Sequence, residues 1–154
     1  MQIIKPPSKE LPKFKRTLFL AGSIDQGKAG DWQKRVENEL KNFDITIYNP
    51  RRDDWDDSWE ENIKNPNFFE QVNWELEKLE SCGIILMYFE PNSKSPISLL
   101  EFGLFAKNAK LIVCCPEGFW KKGNVDIVCK KYGIPLFDNL TSTLIKLKSI
   151  WNLN

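Results

Sequence analysis

The sequence predicts an α/β fold: a single doubly wound, flavodoxin-like domain with a five-stranded parallel sheet flanked by helices. Three observations predict it. Short apolar runs alternate with segments of helical periodicity from residue 17 onward, the order that builds a parallel sheet through crossover helices. Two of the runs, Gly83–Phe89 (GIILMYF) and Lys110–Cys115 (KLIVCC), are almost wholly apolar, as strands covered on both faces must be. The 154 residues, 42% of them hydrophobic, are enough for one core burying roughly 70% of the unfolded surface, and no repeat, low-complexity tract or second domain interrupts them.

Residues 1–16 read as a polar leader with prolines and lysines but no apolar stretch of signal-peptide length, so the domain is expected over residues 17–154. Thr17–Ala21 (TLFLA) is a short buried strand that ends at Gly22. After a glycine-bearing turn, Trp32, Val36 and Leu40 fall at helical spacing in a helix from about Gly30 to Lys41, and Asp44–Tyr48 (DITIY) alternates like a strand. Asn49–Asn65 holds NPRRDDWDDSWEE, lacks periodicity and reads as an extended loop. Asn65 and Pro66 supply an N-cap and first helical position, and Phe69, Val72, Leu76 and Leu79 mark an amphipathic helix to about Ser81. The central strand Gly83–Phe89 follows, then a turn at Pro91–Ser95. Ser95 and Pro96 repeat the capping signature for a helix to about Asn108. Lys110–Cys115 is the next strand; a Gly/Trp loop then precedes a last helix, strand and helix. In a five-stranded flavodoxin-like sheet the strand order reverses between the first and third strands, and ligands bind beyond the carboxyl ends there. Gly22–Asp31 and Glu90–Ser98 would face that point.

The net charge of +1, from 22 basic and 21 acidic residues, sets up no field to gather a nucleic-acid polymer or a membrane surface, and no run approaches the length of a membrane span. Four cysteines without a CxxC pair read as reduced structural thiols, which with the rest makes a cytoplasmic protein the expectation. The chain has no histidine, which removes Ser/His and Cys/His catalysis and most zinc sites. Acid–base chemistry must then come from carboxylates, lysine, tyrosine or cysteine, and no cofactor or metal is expected.

Glu101 stands out against this background. With Ile97 one turn before it and Leu104 and Phe105 one turn after, it occupies a place in an apolar stripe, where an unpaired carboxylate costs several kcal/mol. It is a partly exposed residue at the stripe's edge, a member of a buried ion pair, or a functional carboxylate on a helix that starts at the ligand-binding edge. Glu75, between Val72 and Leu79, shows the same pattern more weakly. Two acids converging on one cleft are the equipment for breaking a bond at an anomeric carbon. Gly22, Ser23, Ile24, Asp25, Gln26, Gly27 and Lys28 form a strand-to-helix turn that either cradles an anion or sugar hydroxyl or is only a tight turn, being neither a Walker loop nor GxGxxG. Arg51, Arg52, Asp53, Asp54 and Trp55 combine planar hydrogen-bonding groups with an aromatic face suited to a heterocyclic base, to which Trp32 could add a second face. The alternative is a self-paired surface loop and tryptophans that pack.

LFLAGSI at Leu18–Ile24, WEL at Trp74–Leu76 and SPISLLEFGLFAKNAKLIV at Ser95–Val113 resemble, in order and over most of the domain, the nucleoside 2-deoxyribosyltransferases and the related 2'-deoxynucleoside 5'-monophosphate N-glycosidases. The resemblance implies that Glu101 attacks C1' of the sugar, releases the base and holds the sugar covalently, with retention, until a second base accepts it. Glu75 falls where an acidic residue orients nucleophile and sugar. The small-molecule partners implied are a nucleoside and a free nucleobase, bound by residues among Gly22, Ser23, Asp25, Ser95 and Ser98. Asn124 matches an asparagine lent to a neighbouring site, which implies a homo-oligomer, at least a dimer. Ser95, six residues before Glu101, replaces a base-contacting aspartate of the better-known transferases and is closer to the monophosphate glycosidases. Phe19 replaces a tyrosine whose hydroxyl would touch the nucleophile, and base recognition then falls to Asp53 or Asp54. The leaving base would take its proton from the NPRRDDW loop or from solvent. A monophosphate hydrolase, with Lys28 and Arg51 or Arg52 on the 5'-phosphate, is the alternative, and a non-catalytic nucleotide-binding module is the rival from another class.

Overall fold

The computed structural model describes residues 1–24, 31–52, 56 and 58–153. Its strands are β1 (Gln2–Ile4), β2 (Arg16–Gly22), β3 (Ile45–Tyr48), β4 (Ile84–Tyr88), β5 (Leu111–Cys114) and β6 (Leu136–Phe137), all parallel in one sheet of order β1-β3-β2-β4-β5-β6. The helices are α1 (Trp32–Leu40), α2 (Pro66–Ser81), α3 (Pro96–Phe105), α4 (Lys122–Tyr132) and α5 (Leu140–Ile150).

Strand pleating sorts the side chains into two cores. Leu18, Leu20, Ile45, Ile47, Leu86 and Ile112 meet α1 and α5 through Val36, Leu40, Leu144 and Leu147. Phe19, Ala21, Tyr48, Ile85, Met87 and Val113 meet α2, α3 and α4 through Trp74, Leu79, Phe102, Phe105, Val125 and Cys129. The near-continuous apolar runs are thus explained: successive residues serve opposite layers. All four cysteines are buried and unpaired.

The sixth strand is the difference from the five expected. β1 pairs with β3, placing Ile4 against Tyr48, and Ile4 is only 1% exposed. Three residues ahead of Pro6 and Pro7 show no alternation from which to read a strand. The rest of residues 1–16 is tied down by the indole N–H of Trp74, which donates to Ser8 O at 2.9 Å.

Helix ends explain the other boundaries. Asn65 caps α2, its side-chain oxygen accepting from the N–H groups of Asn67 at 3.1 Å and Phe68 at 3.3 Å. At the other end the Lys110 ammonium donates to Leu79 O, Glu80 O and Cys82 O, satisfying carbonyls the helix leaves over. Among the described residues no helix is long and apolar enough to cross a membrane.

β2 leads through α1 outward to β3, whereas β4 leads through α3 the opposite way to β5. The carboxyl ends of β2 and β4 therefore border the reversal of strand order, the place from which ligands are reached in such sheets. Gly22 closes this junction. It pairs with Tyr88, has φ 139°, and a Cβ on it would overlap the Tyr88 carbonyl oxygen and lie 2.8 Å from the Tyr88 nitrogen. Gly22→Ala is expected to cost about 3 kcal/mol or more, read as a lowered urea midpoint. A midpoint equal to that of the wild type would mean that the two strand ends spread freely.

Candidate active site

Glu101 lies in the middle of α3, buried at 8% exposure beside Ser98, Phe102 and Phe105. Of the three residues that set the stripe in the sequence, Phe105 shares the buried face with Glu101 and the other two do not. Ile97 and Leu104, the other two, are 59% and 56% exposed, and with Leu100 they form the outer face of the helix. The inward face runs Ser98, Glu101, Phe102, Phe105, positions i, i+3, i+4 and i+7. Among the described residues no hydrogen bond or cation meets the Glu101 carboxylate.

Its electrostatic neighbour is Glu75, from α2. Burial pushes the Glu101 carboxyl up to about 8, with the charge of Glu75 adding to the rise. Burial likewise pushes Glu75 up to about 7, and a hydrogen bond from Gln71 works against that rise. Both carboxyls are thus raised above the usual carboxylate range, Glu101 in part by the charge of Glu75.

Gln71 donates through Nε2 to Glu75 Oε1 at 2.8 Å and to Pro50 O at 3.1 Å. Pro50 belongs to a segment, Asn49–Arg52, that is fastened from both sides. The Asn49 amide donates to Glu37 Oε1 at 2.8 Å, and its backbone N–H to Ile4 O at 3.0 Å. Arg51 pairs with Asp31 at 3.6 Å, and Arg52 pairs with Glu70 at 4.0 Å with its guanidinium 5.0 Å from the Trp59 ring centroid. Nothing in the spacing singles out Gln71 as chemical; the signal is its position one turn before Glu75 on the buried side of α2.

A group of serine hydroxyls closes the junction between β2 and α3. Ser95 Oγ hydrogen-bonds Ser23 Oγ at 2.5 Å and Ser93 Oγ at 2.7 Å, and Ser23 Oγ accepts the Glu90 N–H at 2.9 Å. Ser95 stands at the N-cap position of α3, but with φ 46° it is left-handed and makes no cap bond. Its hydroxyl is spent on the cluster, which explains why the expected capping contact is missing. Ser23 also receives the indole N–H of Trp32 on its carbonyl at 3.0 Å. Trp32 is 5% exposed and packs against Tyr88 at 5.2 Å between ring centroids.

The structure therefore brings together Gly22, Ser23 and Ser95 at the junction and pairs Glu75 with Glu101. Asn124 is in the first turn of α4, exposed, with its backbone N–H on Lys121 O at 3.0 Å. Phe19 is fully buried against Trp74, their ring centroids 6.3 Å apart, and carries no hydroxyl toward the carboxyl pair. Asp25, Lys28, Asp53, Asp54 and Trp55 lie outside the described residues.

Residues 15–119 match the family model described as nucleoside 2-deoxyribosyltransferase like, a span that includes β2, Glu75, the serine cluster and Glu101 but stops short of Asn124. No curated protein matches the chain.

Proposed function

The chain belongs to the nucleoside 2-deoxyribosyltransferase-like family, and on that premise we propose that it exchanges the base of a (deoxy)ribonucleoside through a covalent glycosyl-glutamate intermediate. The observation that carries this is the carboxyl pair of buried Glu101 with half-buried Glu75, in a chain with no histidine. Ionised Glu101 attacks C1' of the sugar; the C1'–O bond forms as the C1'–N bond breaks, and the base leaves with a proton from solvent or the NPRRDDW loop. A second base then attacks C1' from the opposite side and gives up its N–H proton to solvent or the same loop, the C1'–O bond breaking to restore the Glu101 carboxylate, so two inversions give retention. Glu75 orients the sugar and the nucleophile. Poor solvation suits the task, because an ion that is costly to bury gains most when it is consumed in a bond.

Hydrolysis of a 2'-deoxynucleoside 5'-monophosphate is the second reading, favoured by Ser95, whose hydroxyl is clustered with Ser23 and Ser93 at the carboxyl ends of β2 and β4. Against a phosphate on the arginines stand the pairs Arg51–Asp31 and Arg52–Glu70. The proposal also makes the working protein a homo-oligomer in which Asn124 reaches a neighbour's site, in keeping with its exposed place on α4.

Incubation with 2'-deoxyadenosine or 2'-deoxyinosine, with and without cytosine or adenine, tests all of this. A new deoxynucleoside appearing only with the acceptor base is the expected result, from a preparation that sediments as a dimer or larger. Free base alone would replace transfer by hydrolysis. No product from nucleosides or 5'-monophosphates would leave a non-catalytic nucleotide-binding module.

A further inference from the structure

Gln71 is 4% exposed, and its Oε1 is buried without a hydrogen-bond partner among the described residues. As packing this is a poor choice: a methionine would fill the same volume on α2 without burying an unpaired acceptor. What the amide alone supplies is two N–H groups, and both are used, on Pro50 O at 3.1 Å and Glu75 Oε1 at 2.8 Å. Both partners are acceptors, which sets the orientation of the amide. One end of this bridge is a fixed point, since Asn49 next to Pro50 is bonded to Glu37 and Ile4. The other end is a carboxylate that could otherwise swing on its rotamers.

Resting on the function proposed above, we infer that Gln71 is a positioning residue that acts through Glu75, fastening its carboxylate to the anchored Asn49–Arg52 segment so that it stays aligned with Glu101. The N–H bond to Glu75 favours its ionised form and opposes the effect of burial, while the bond to Pro50 O holds the amide in place to make it. The groups around Glu75 leave that role to Gln71. Glu101 from α3 is a like charge. Arg51 and Arg52 on the loop segment pair with Asp31 and Glu70. Tyr48 from β3 packs edge-on against Trp74, with its phenol raised by burial, and Lys78 stands over the Tyr48 ring at 5.4 Å.

The test is Gln71→Met in the full chain, with glutamate side-chain carboxyls labelled with carbon-13 and titrated by NMR, alongside base release from 2'-deoxyinosine between pH 5 and 9. The Glu75 titration is expected to rise by about one pH unit. In parallel kcat should fall about 10- to 100-fold with KM changed less than about threefold, the acid limb of the rate profile moving up with the carboxyl, while the thermal midpoint holds or rises. In a Glu75→Gln background the same change should alter kcat by less than about twofold, because a residue acting through Glu75 has nothing left to act on. An unshifted carboxyl titration, or equal losses in both backgrounds, would overturn the assignment. Should Gln71→Met not fold, Gln71→Asn carries the same expectations, being one methylene too short to span both acceptors. If the wild type releases no base, the proposed function fails, and the carboxyl titration still decides the role of Gln71.

Discussion

Glu101→Gln is expected to leave a folded protein whose base-releasing activity is lower by about 10⁴-fold or more, the scale on which removing a nucleophile acts. The substitution keeps the shape of the side chain between Ser98 and Phe105 and removes only its capacity to become an anion. An amide oxygen does not displace a base from C1' at a useful rate, and no histidine is present to substitute for it. The expected partition is also informative. KM should change little, because sugar and base keep their other contacts, and the loss should fall on kcat. A 2'-fluoro nucleoside, which slows the second displacement, should add the mass of its sugar to the wild type and leave Glu101→Gln unmodified. Turnover within tenfold of wild type would remove Glu101 as the attacking group, and the adduct would then locate the residue that does attack.

Much of this arrangement is legible in the residues, for physical reasons that differ from element to element. The alternation of apolar runs with helical periods is enough for the doubly wound sheet, because each strand must serve two layers and each helix one. Asn65 with Pro66 marks the start of α2 because the capping geometry is local, and it is the geometry observed. Ser95 with Pro96 marks the start of α3 equally well, yet the Ser95 hydroxyl turns to Ser23, 72 positions away in sequence, which no local pattern discloses. Glu101 shows the limit most clearly. The sequence places it in a stripe with Ile97, Leu104 and Phe105; Ile97 and Leu104 are exposed, and the burial arises on the face that holds Phe105 with Phe102 and Ser98, since a helix so rich in apolar residues offers more than one plausible stripe. Gln71 goes unread for a related reason. A glutamine on an amphipathic helix is unremarkable until the fold sets Pro50 on one side of it and Glu75 on the other.

Stability should reveal the strain of the carboxyl pair even where activity is not measured. In the unfolded chain Glu75 and Glu101 titrate near 4.5, whereas the folded protein raises them to about 7 and about 8. Below about pH 4.5 both states hold these protons, and the pair has no pH-dependent cost. As pH rises past that value the unfolded chain releases its protons while the folded protein keeps them or releases them at the expense of burying charge. The pair's contribution to stability therefore falls through the window up to about pH 8 and changes no further above it. Glu101→Gln has no proton to lose at that position, so it should match the wild type near pH 4.5 and exceed it increasingly toward pH 9. A rise from 4.5 to about 8 at a buried site corresponds to about 5 kcal/mol, or about 10–20 °C in the thermal midpoint of a domain this size. Glu75→Gln should show the same sign and a smaller effect, its folded value being displaced less. Calorimetry of the three proteins at pH 4.5, 7 and 9 decides the matter. A difference that does not grow with pH, or a Glu101→Gln protein less stable than the wild type at pH 9, would mean that the carboxylate is solvated or paired in the folded state, and a solvated or paired Glu101 would be a weak nucleophile. A widening difference would mean that the fold gives up stability at neutral pH to hold a reactive carboxylate in a poorly solvated cleft, the trade expected where a residue is kept for chemistry and not for packing.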